Sequence, residues 1–169
     1  MMFKNFLLYS AVTIFSLPLA TSCNNDDDDE VFTIDGTFTG NVEGEYLFIQ
    51  NGDTSRLVIE PSAADVSIVD NGDGSYNILT PEFSIYNTDG TLNDVVGVAT
   101  LRKVEITEQE NGEYTFTYEN GNIIAPWGGS PSNFSGSING TISGKKIHFD
   151  FELHHAFRYN YYVSFDGKK

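Results

Sequence analysis

Hydrophobic and polar residues alternate along most of this chain. The clearest example places polar residues between Tyr114, Phe116 and Tyr118. Consecutive side chains of a β-strand point to opposite faces of the sheet, so one face of such a segment is predicted to meet a core and the other to meet water. The segments 147–154 and 161–165 follow the same pattern. The alternation therefore predicts half-buried strands.

Short turn signals separate the predicted strands. Glycine follows asparagine, aspartate or serine repeatedly, and these residue types tolerate the positive φ that tight hairpins require. The sites are Asn51-Gly52, Asn71-Gly72, Asp73-Gly74, Asp89-Gly90, Asn111-Gly112, Asn120-Gly121, Asn139-Gly140 and Ser143-Gly144. The pattern predicts about eight to ten antiparallel strands that close into a barrel or stack as a sandwich. The short connections favour the barrel, with a β-sandwich as the alternative.

Four segments depart from simple alternation. The hydrophobic positions change parity near Arg102, as a β-bulge would cause. Pro61–Asp65 is predicted to form at most one helical turn, and Thr91–Val96 is predicted to be irregular. The segment Ala125–Ser132 contains the only tryptophan and several glycines and prolines. This composition predicts a mobile loop.

The first 22 residues have the layout of a signal peptide. One basic residue, Lys4, precedes the uncharged apolar stretch Leu7–Ala20, and small residues follow it. The stretch is shorter than the roughly 20 residues that a spanning helix needs. Residues 1–22 are therefore predicted to be a signal peptide, which implies export.

The only cysteine of the chain, Cys23, stands directly after this segment. The stretch Leu19–Cys23 resembles the lipobox of bacterial lipoproteins, with Ala20 where that family usually has leucine. The resemblance implies that Cys23 is acylated and anchors the protein to a membrane. The alternative is ordinary secretion with a free thiol, since Ala20 and Ser22 also suit the general signal peptidase.

An acidic run, residues 24–30, follows the cysteine. Because such a run cannot bury apolar area, residues 23–31 are predicted to be a lipidated, extended tether before a domain at 32–169. The run resembles the acidic export signal of surface lipoproteins in Bacteroidota. That resemblance implies a place on the outer leaflet of the outer membrane, and a plain spacer is the alternative.

The predicted domain is acidic and contains no cysteine. The whole chain has 24 acidic and 9 basic residues, and five of the acids lie in the tether. This balance argues against nucleic acid as a partner. Without a cysteine, no disulfide can hold the core together. The sequence does not indicate an oligomeric state.

Four segments carry a resemblance to a known family. They are Asp35–Gly40, Leu79–Ile85, Ser135–Ile142 and Val163–Lys169, which share a pattern of glycine, aromatic and turn positions. Here the chain resembles the calycin-like β-barrel lipoproteins of Bacteroidota. The resemblance implies an all-β, eight-stranded, antiparallel, up-and-down barrel over Phe32–Lys169, whose interior in the wider calycin group often holds a small apolar molecule. The resemblance does not identify any binding residue in this chain.

The sequence does not indicate catalysis. No Gly-x-Ser-x-Gly motif occurs, and no Ser, His and acid set is marked locally, although a hydrolase stays open as a third alternative. His148 and His154 alternate with Asp150 and Glu152 opposite the hydrophobic face of their strand. These groups are therefore predicted to lie in water rather than around a metal, and no metal or cofactor is expected.

Aromatic residues, 14% of the chain, are the strongest indication of binding. We expect the barrel interior to hold a small, mostly apolar ligand between Tyr114, Phe116 and Tyr118, with Trp127 at one end. His155 shares parity with the hydrophobic face of its strand and is expected to point inward near a barrel end. The alternative is a surface interaction module that contacts glycan, a host protein or an outer-membrane partner.

Overall fold

The alternating segments form β-strands in the structure, a computed structural model that describes residues 32–156 and 159–169. The strands are β1 (Gly36–Gln50), β2 (Asp53–Asp70), β3 (Tyr76–Leu79), β4 (Phe83–Tyr86), β5 (Leu92–Val96), β6 (Thr100–Val104), β7 (Thr107–Glu108), β8 (Tyr114–Trp127), β9 (Ser130–Ser143), β10 (Lys146–His155) and β11 (Tyr159–Lys168). The described residues contain no helix, and hence none that is long and apolar enough to cross a membrane.

All strands belong to one antiparallel sheet that curls on itself. The order of neighbours is β4-β5-β8-β9-β10-β11-β1-β2-β3-β6, with β7 pairing beside β8. The last strand, β11, pairs with β1 along ten residues of each, so the two ends of the domain are joined. Sequential hairpins and this closing pair make an up-and-down barrel rather than a sandwich, which confirms the all-β antiparallel prediction.

The structure has eleven strands rather than eight because one hairpin is broken in the middle. Leu79 pairs with Thr100 and Phe83 pairs with Val96, so the same register continues from β3–β6 into β4–β5. Pro81 and Gly97 lie at the break, where Pro81 has no N–H to donate. If β3 and β4 are counted as one broken strand and β5 and β6 as another, the barrel has eight strands, and β7 is a short addition.

The halves of the broken hairpin attach to different neighbours. The β3–β6 half pairs with the end of β2, whereas the β4–β5 half pairs with β8 through Val96 and Trp127. The amide of Gly97 donates to the carbonyl of Pro126 at 2.7 Å, and the amide of Gly128 donates to the carbonyl of Val95. The hairpin thus crosses the gap between β2 and β8. The prediction that Thr91–Val96 is irregular is wrong for most of its length, because Leu92–Val96 is strand β5.

Register shifts interrupt four of the strand pairs, and two of them, both β-bulges, bear on the sequence predictions. Tyr76 pairs with Val104 and Ile78 with Leu101, so two residues of β6 face one of β3; this confirms the bulge near Arg102. The second bulge lies in β2 opposite the Val42/Gly44 step, at Pro61. The predicted helical turn at Pro61–Asp65 is therefore wrong. A bulge lets proline stay in a strand because the extra residue makes no ladder hydrogen bond.

The segment around the tryptophan is a tight hairpin, so the predicted mobile loop at Ala125–Ser132 is wrong. Trp127 pairs with Ser130, and Pro126 pairs with Pro131. Both turn residues, Gly128 and Gly129, have positive φ, as a two-residue hairpin turn of the primed type requires. In such a hairpin the pair next to the turn, Trp127 and Ser130, is hydrogen-bonded, and the following pair, Pro126 and Pro131, is not. The two prolines therefore occupy a pair that needs no N–H donor.

The barrel interior is packed with its own hydrophobic side chains. Phe38, Phe134, Phe149, Tyr161 and Phe165 are all fully buried. Asn139-Gly140 lies inside β9 rather than in a turn, and Asn120-Gly121 likewise lies inside β8. These two turn predictions are wrong. Glycine at 140 leaves room for the ring of Phe116, which lies edge-on to Phe149 at a centroid distance of 5.0 Å.

The predicted signal peptide at 1–22, the lipidated Cys23 and the tether at 23–31 lie outside the described residues, as do Phe157 and Arg158. These N-terminal assignments stay predictions.

Replacing Gly140 by alanine should destabilise the barrel by about 1 to 3 kcal/mol, because overpacking in a filled core costs about this much. A Cβ there would lie 2.1 Å from Cε1 of Phe116. Urea unfolding measures the loss. The neighbouring exposed Thr141→Ala should stay within about 0.5 kcal/mol of the wild type. If Gly140→Ala unfolds like the wild type, the core at Phe116 is loosely packed.

Candidate functional site at the aromatic end of the barrel

Three aromatic side chains from different strand ends meet at one end of the barrel. Trp127 ends β8, His155 ends β10 and Tyr159 begins β11. The ring centroids lie 4.5 Å apart for Trp127 and His155, 5.3 Å for Trp127 and Tyr159, and 5.7 Å for His155 and Tyr159. The Gly128-Gly129 hairpin fixes Trp127 in this position because it holds the end of β8 in the ladder.

Strand β1 adds further rings through its pairing with β11. Phe48 pairs with Tyr159 and Tyr46 pairs with Tyr161. The ring of Tyr159 stacks on both Phe48, at 5.3 Å, and Tyr46, at 6.0 Å. Together with Phe83 and Phe134, which contact Tyr161, these rings form a cluster that we call the aromatic end. Its members are Tyr46, Phe48, Phe83, Trp127, Phe134, His155, Tyr159 and Tyr161.

Three buried polar atoms of the aromatic end have no hydrogen-bond partner within the described residues. They are Nε1 of Trp127, Nδ1 of His155 and the hydroxyl oxygen of Tyr161. Tyr161 is fully buried, whereas Trp127 and His155 are half-buried. A buried polar group without a partner costs about 1 to 3 kcal/mol. Three such atoms therefore lie among contacting rings, which is uncommon in a folded protein.

Burial and one carboxylate set the electrostatics of this end. Burial raises the pKa of the hydroxyls of Tyr46 and Tyr161 well above the usual tyrosine range, and the charge of Asp94 adds to both shifts. The nearby indole of Trp127 slightly opposes the shift of Tyr161, although no hydrogen bond of acceptable geometry joins them. Burial lowers the pKa of His155, against the opposing effect of Asp94. His155 is therefore neutral at neutral pH.

The structure brings together two of the five predicted ligand-binding residues, Trp127 and His155. Phe116 lies in the packed core. Tyr114 begins β8, roughly 40 Å along the strand from Trp127, and its ring lies 6.3 Å from that of Phe32. Tyr118 is partly buried against the core between them.

The sequence interpretation missed Tyr46, Tyr159 and Asp94. Tyr159 shares parity with the inward residue Tyr161, so the alternation of β11 could have placed it. Tyr46 and Asp94 come from strands distant in sequence, and local alternation carries no signal that they approach Trp127.

Several open grooves lie outside the barrel, and two of them are well defined. One, of about 480 Å³, crosses the outward side of β1, β9, β10 and β11 next to His148 and Asp166. The other, of about 570 Å³, lies between Arg56–Ser62 of β2 and the turn after β4. The aromatic-end residues line neither groove.

The outward face of β10 carries charged residues, as predicted. Nδ1 of His148 lies 2.8 Å from Oδ1 of Asp166, and its Nε2 lies 3.3 Å from Oδ2 of Asp150. Partial burial opposes protonation of His148, but these two carboxylates outweigh it and raise the pKa of the histidine. In the described part of the chain, no three His, Cys, Asp or Glu side chains are arranged to hold a metal ion.

Comparison with known proteins identifies the family. The sequence profile described as "Calycin-like beta-barrel domain" matches residues 34–168, which is most of the chain. The chain belongs to the calycin-like β-barrel domain family. The resemblance found at Asp35–Gly40 and the three later segments is therefore confirmed, and so is the calycin-like fold. No curated protein is significantly similar to this family member in sequence.

A solved structure has a related fold. It is a protein of Bacteroides fragilis NCTC 9343, provisionally described as an outer membrane protein. The two proteins are 16% identical, with a TM-score of 0.56 over 80% of this calycin-like chain and 51% of the other. This chain thus spans about half the length of that protein. At this identity the likeness extends to the fold alone.

Replacing Tyr161 by phenylalanine should leave the free energy of unfolding unchanged or raise it by up to about 1 kcal/mol, because the buried hydroxyl has no partner to lose. Urea unfolding of ligand-free protein, refolded from denaturant, measures this. The exposed Tyr162→Phe is the matched control and should be neutral. A loss above about 1 kcal/mol for Tyr161→Phe would mean that the hydroxyl has a partner.

Proposed function

We propose that this chain is a cell-envelope lipoprotein whose barrel holds a small molecule at its aromatic end without transforming it. The observation that carries the proposal is the set of three unpartnered atoms on Trp127, His155 and Tyr161. Ligand pockets combine apolar and aromatic walls with a few placed polar groups, and this cluster has both. The proposal keeps the expected Trp127 and His155 as binding residues.

The proposed ligand lies at the barrel end rather than deep in the interior. Phe116, Phe149 and their neighbours fill the middle of the barrel, so the rings Tyr114, Phe116 and Tyr118 serve mainly to pack it. At the aromatic end, Phe48, Trp127 and Tyr159 are only half-buried, and a ligand can reach the faces of their rings. The ligand is then apolar where it meets the rings and polar on the side that faces the three unpartnered atoms, which are buried in this structure.

The surface interaction module is less well supported. The large hydrophobic side chains that are exposed among the described residues are Ile49, Val58, Val69, Leu92, Val98, Ile124 and Tyr162. Only one of them is aromatic, and they belong to several strands. A row of exposed rings, as a glycan-binding face needs, is not present in this part of the chain.

The envelope location rests on the N-terminal sequence. Cys23 and the acidic run after it provide an acyl anchor and a solvated tether. The fold relative from Bacteroides fragilis, provisionally described as an outer membrane protein, supports the same compartment. We infer that the acylated Cys23 holds the barrel at the outer membrane, on the cell surface.

The ligand can be detected by native mass spectrometry of the full chain purified in detergent from its own cells. We expect a reproducible small-molecule adduct on the wild type. Trp127→Phe removes one unpartnered donor while keeping a ring, so the adduct should be reduced; Tyr162→Phe, outside the site, should retain it. The proposal fails if the wild type carries no adduct or if Trp127→Phe carries as much.

The anchor can be tested by Cys23→Ala, which removes the acylated sulfur. This variant should leave the membrane fraction and lose acyl-chain labelling, because no other lipid attachment is proposed. Replacing Asp26–Asp29 by asparagine is the control and should leave the protein in the membrane fraction. If Cys23→Ala stays membrane-bound, the anchor is not at this residue.

A further inference from the structure

We propose that the ligand of the aromatic end is a small organic cation, bound through its ammonium group. This inference rests on the proposed ligand site and adds its chemical class. Three properties of the site support it: a carboxylate, accessible aromatic faces and a neutral histidine. The carboxylate and the ring faces select for positive charge, and the neutral histidine can accept a hydrogen bond from an ammonium N–H.

The carboxylate is Asp94 on β5. Its Oδ1 accepts a hydrogen bond from the amide of Val95 and lies 3.3 Å from the position of a Cβ built on Gly128, directly beside the Trp127 hairpin. Its charge acts on Tyr46, His155 and Tyr161 alike. Among the described residues, no lysine or arginine contributes to the pKa of these three side chains. Asp94 therefore places a negative charge beside the site.

The rings provide the second attraction. A cation within about 6 Å of a ring centroid is attracted to the electron-rich face of tryptophan, tyrosine or phenylalanine, with tryptophan the strongest. Trp127, Tyr159 and Phe48 are half-buried, so part of each ring is open to a ligand. Trp127 and Tyr159 also contact each other at 5.3 Å, and a single small group can therefore touch both.

Two of the three unpartnered atoms fit an ammonium donor, whereas the N–H of Trp127 is itself a donor and needs an acceptor elsewhere on the ligand. Because burial keeps His155 neutral, its unpartnered Nδ1 can accept a hydrogen bond, and so can the oxygen of Tyr161. The negative charge of Asp94 would instead repel an anion. A neutral polyol would satisfy the hydrogen bonds but gain little from Asp94. The acidic domain as a whole also attracts cations from solution.

Binding can be followed through the fluorescence of Trp127, the only tryptophan of the chain. The probes are choline and 2-phenylethylamine, each compared with a neutral counterpart of similar shape: 3,3-dimethylbutan-1-ol and 2-phenylethanol. Methyl glucoside represents neutral polyols. With full-length protein in detergent, at least one ammonium probe should give a saturable change at a concentration about tenfold or more below that of its neutral counterpart.

The role of Asp94 is tested by Asp94→Asn, in which the amide oxygen can still accept from Val95. This variant should lose the preference for the ammonium probe and keep its weaker affinity for the neutral one. Glu110→Gln is the matched control, because it removes one exposed carboxylate before β8, at the other end of that strand from Trp127. It should keep the full preference.

The outcomes separate this inference from the proposed function. If neutral counterparts or methyl glucoside bind as well as the ammonium probes, the ligand class is wrong while the site stands. If no probe binds but mass spectrometry finds a neutral adduct that depends on Trp127, the class is again wrong. If neither method finds a ligand, both proposals fail. An unchanged preference in Asp94→Asn would also overturn the inference.

Discussion

The antiparallel pairing of β1 with β11 determines where the aromatic side chains meet. It joins the first and last strands of the domain, and its register sets Tyr46 opposite Tyr161 and Phe48 opposite Tyr159. Because side chains alternate between the faces of a strand, a shift of one residue would turn these rings to the other side of the sheet. The closure of the barrel and the assembly of the aromatic end are therefore consequences of the same register.

The two halves of the broken hairpin attach to different parts of the barrel, and the middle of the barrel is packed differently from the aromatic end. Its β3–β6 half continues the end of β2, while its β4–β5 half attaches to the end of β8 and carries Asp94 toward Trp127. In the middle, Phe116 and Phe149 fill the interior so closely that a Cβ at residue 140 would press against their rings. At the aromatic end, polar atoms are buried without partners. Stable packing in the middle of the barrel offsets the cost of the unpartnered atoms at the aromatic end.

Alternation predicted the faces of the strands well but not their neighbours. Tyr161, Val163 and Phe165 are inward as the pattern of β11 indicated, and the parity change at Arg102 did mark a bulge. The hairpin at Trp127 was missed because glycine and proline are common in loops, although here the glycines form a primed turn and the prolines face each other. The approach of Asp94 depends on pairing between distant strands, which local sequence does not encode.

The charge of the domain and the chemistry of its aromatic end act in the same direction. An acidic surface raises the local concentration of cations, but screening limits that effect to about 10 Å at ordinary salt. Selection among cations at the proposed site then has to come from short-range contacts. At the aromatic end, one carboxylate and several ring faces are held by strand pairing rather than by flexible loops. Such a rigid arrangement loses little conformational entropy when a small ligand binds, so few contacts are enough to hold it.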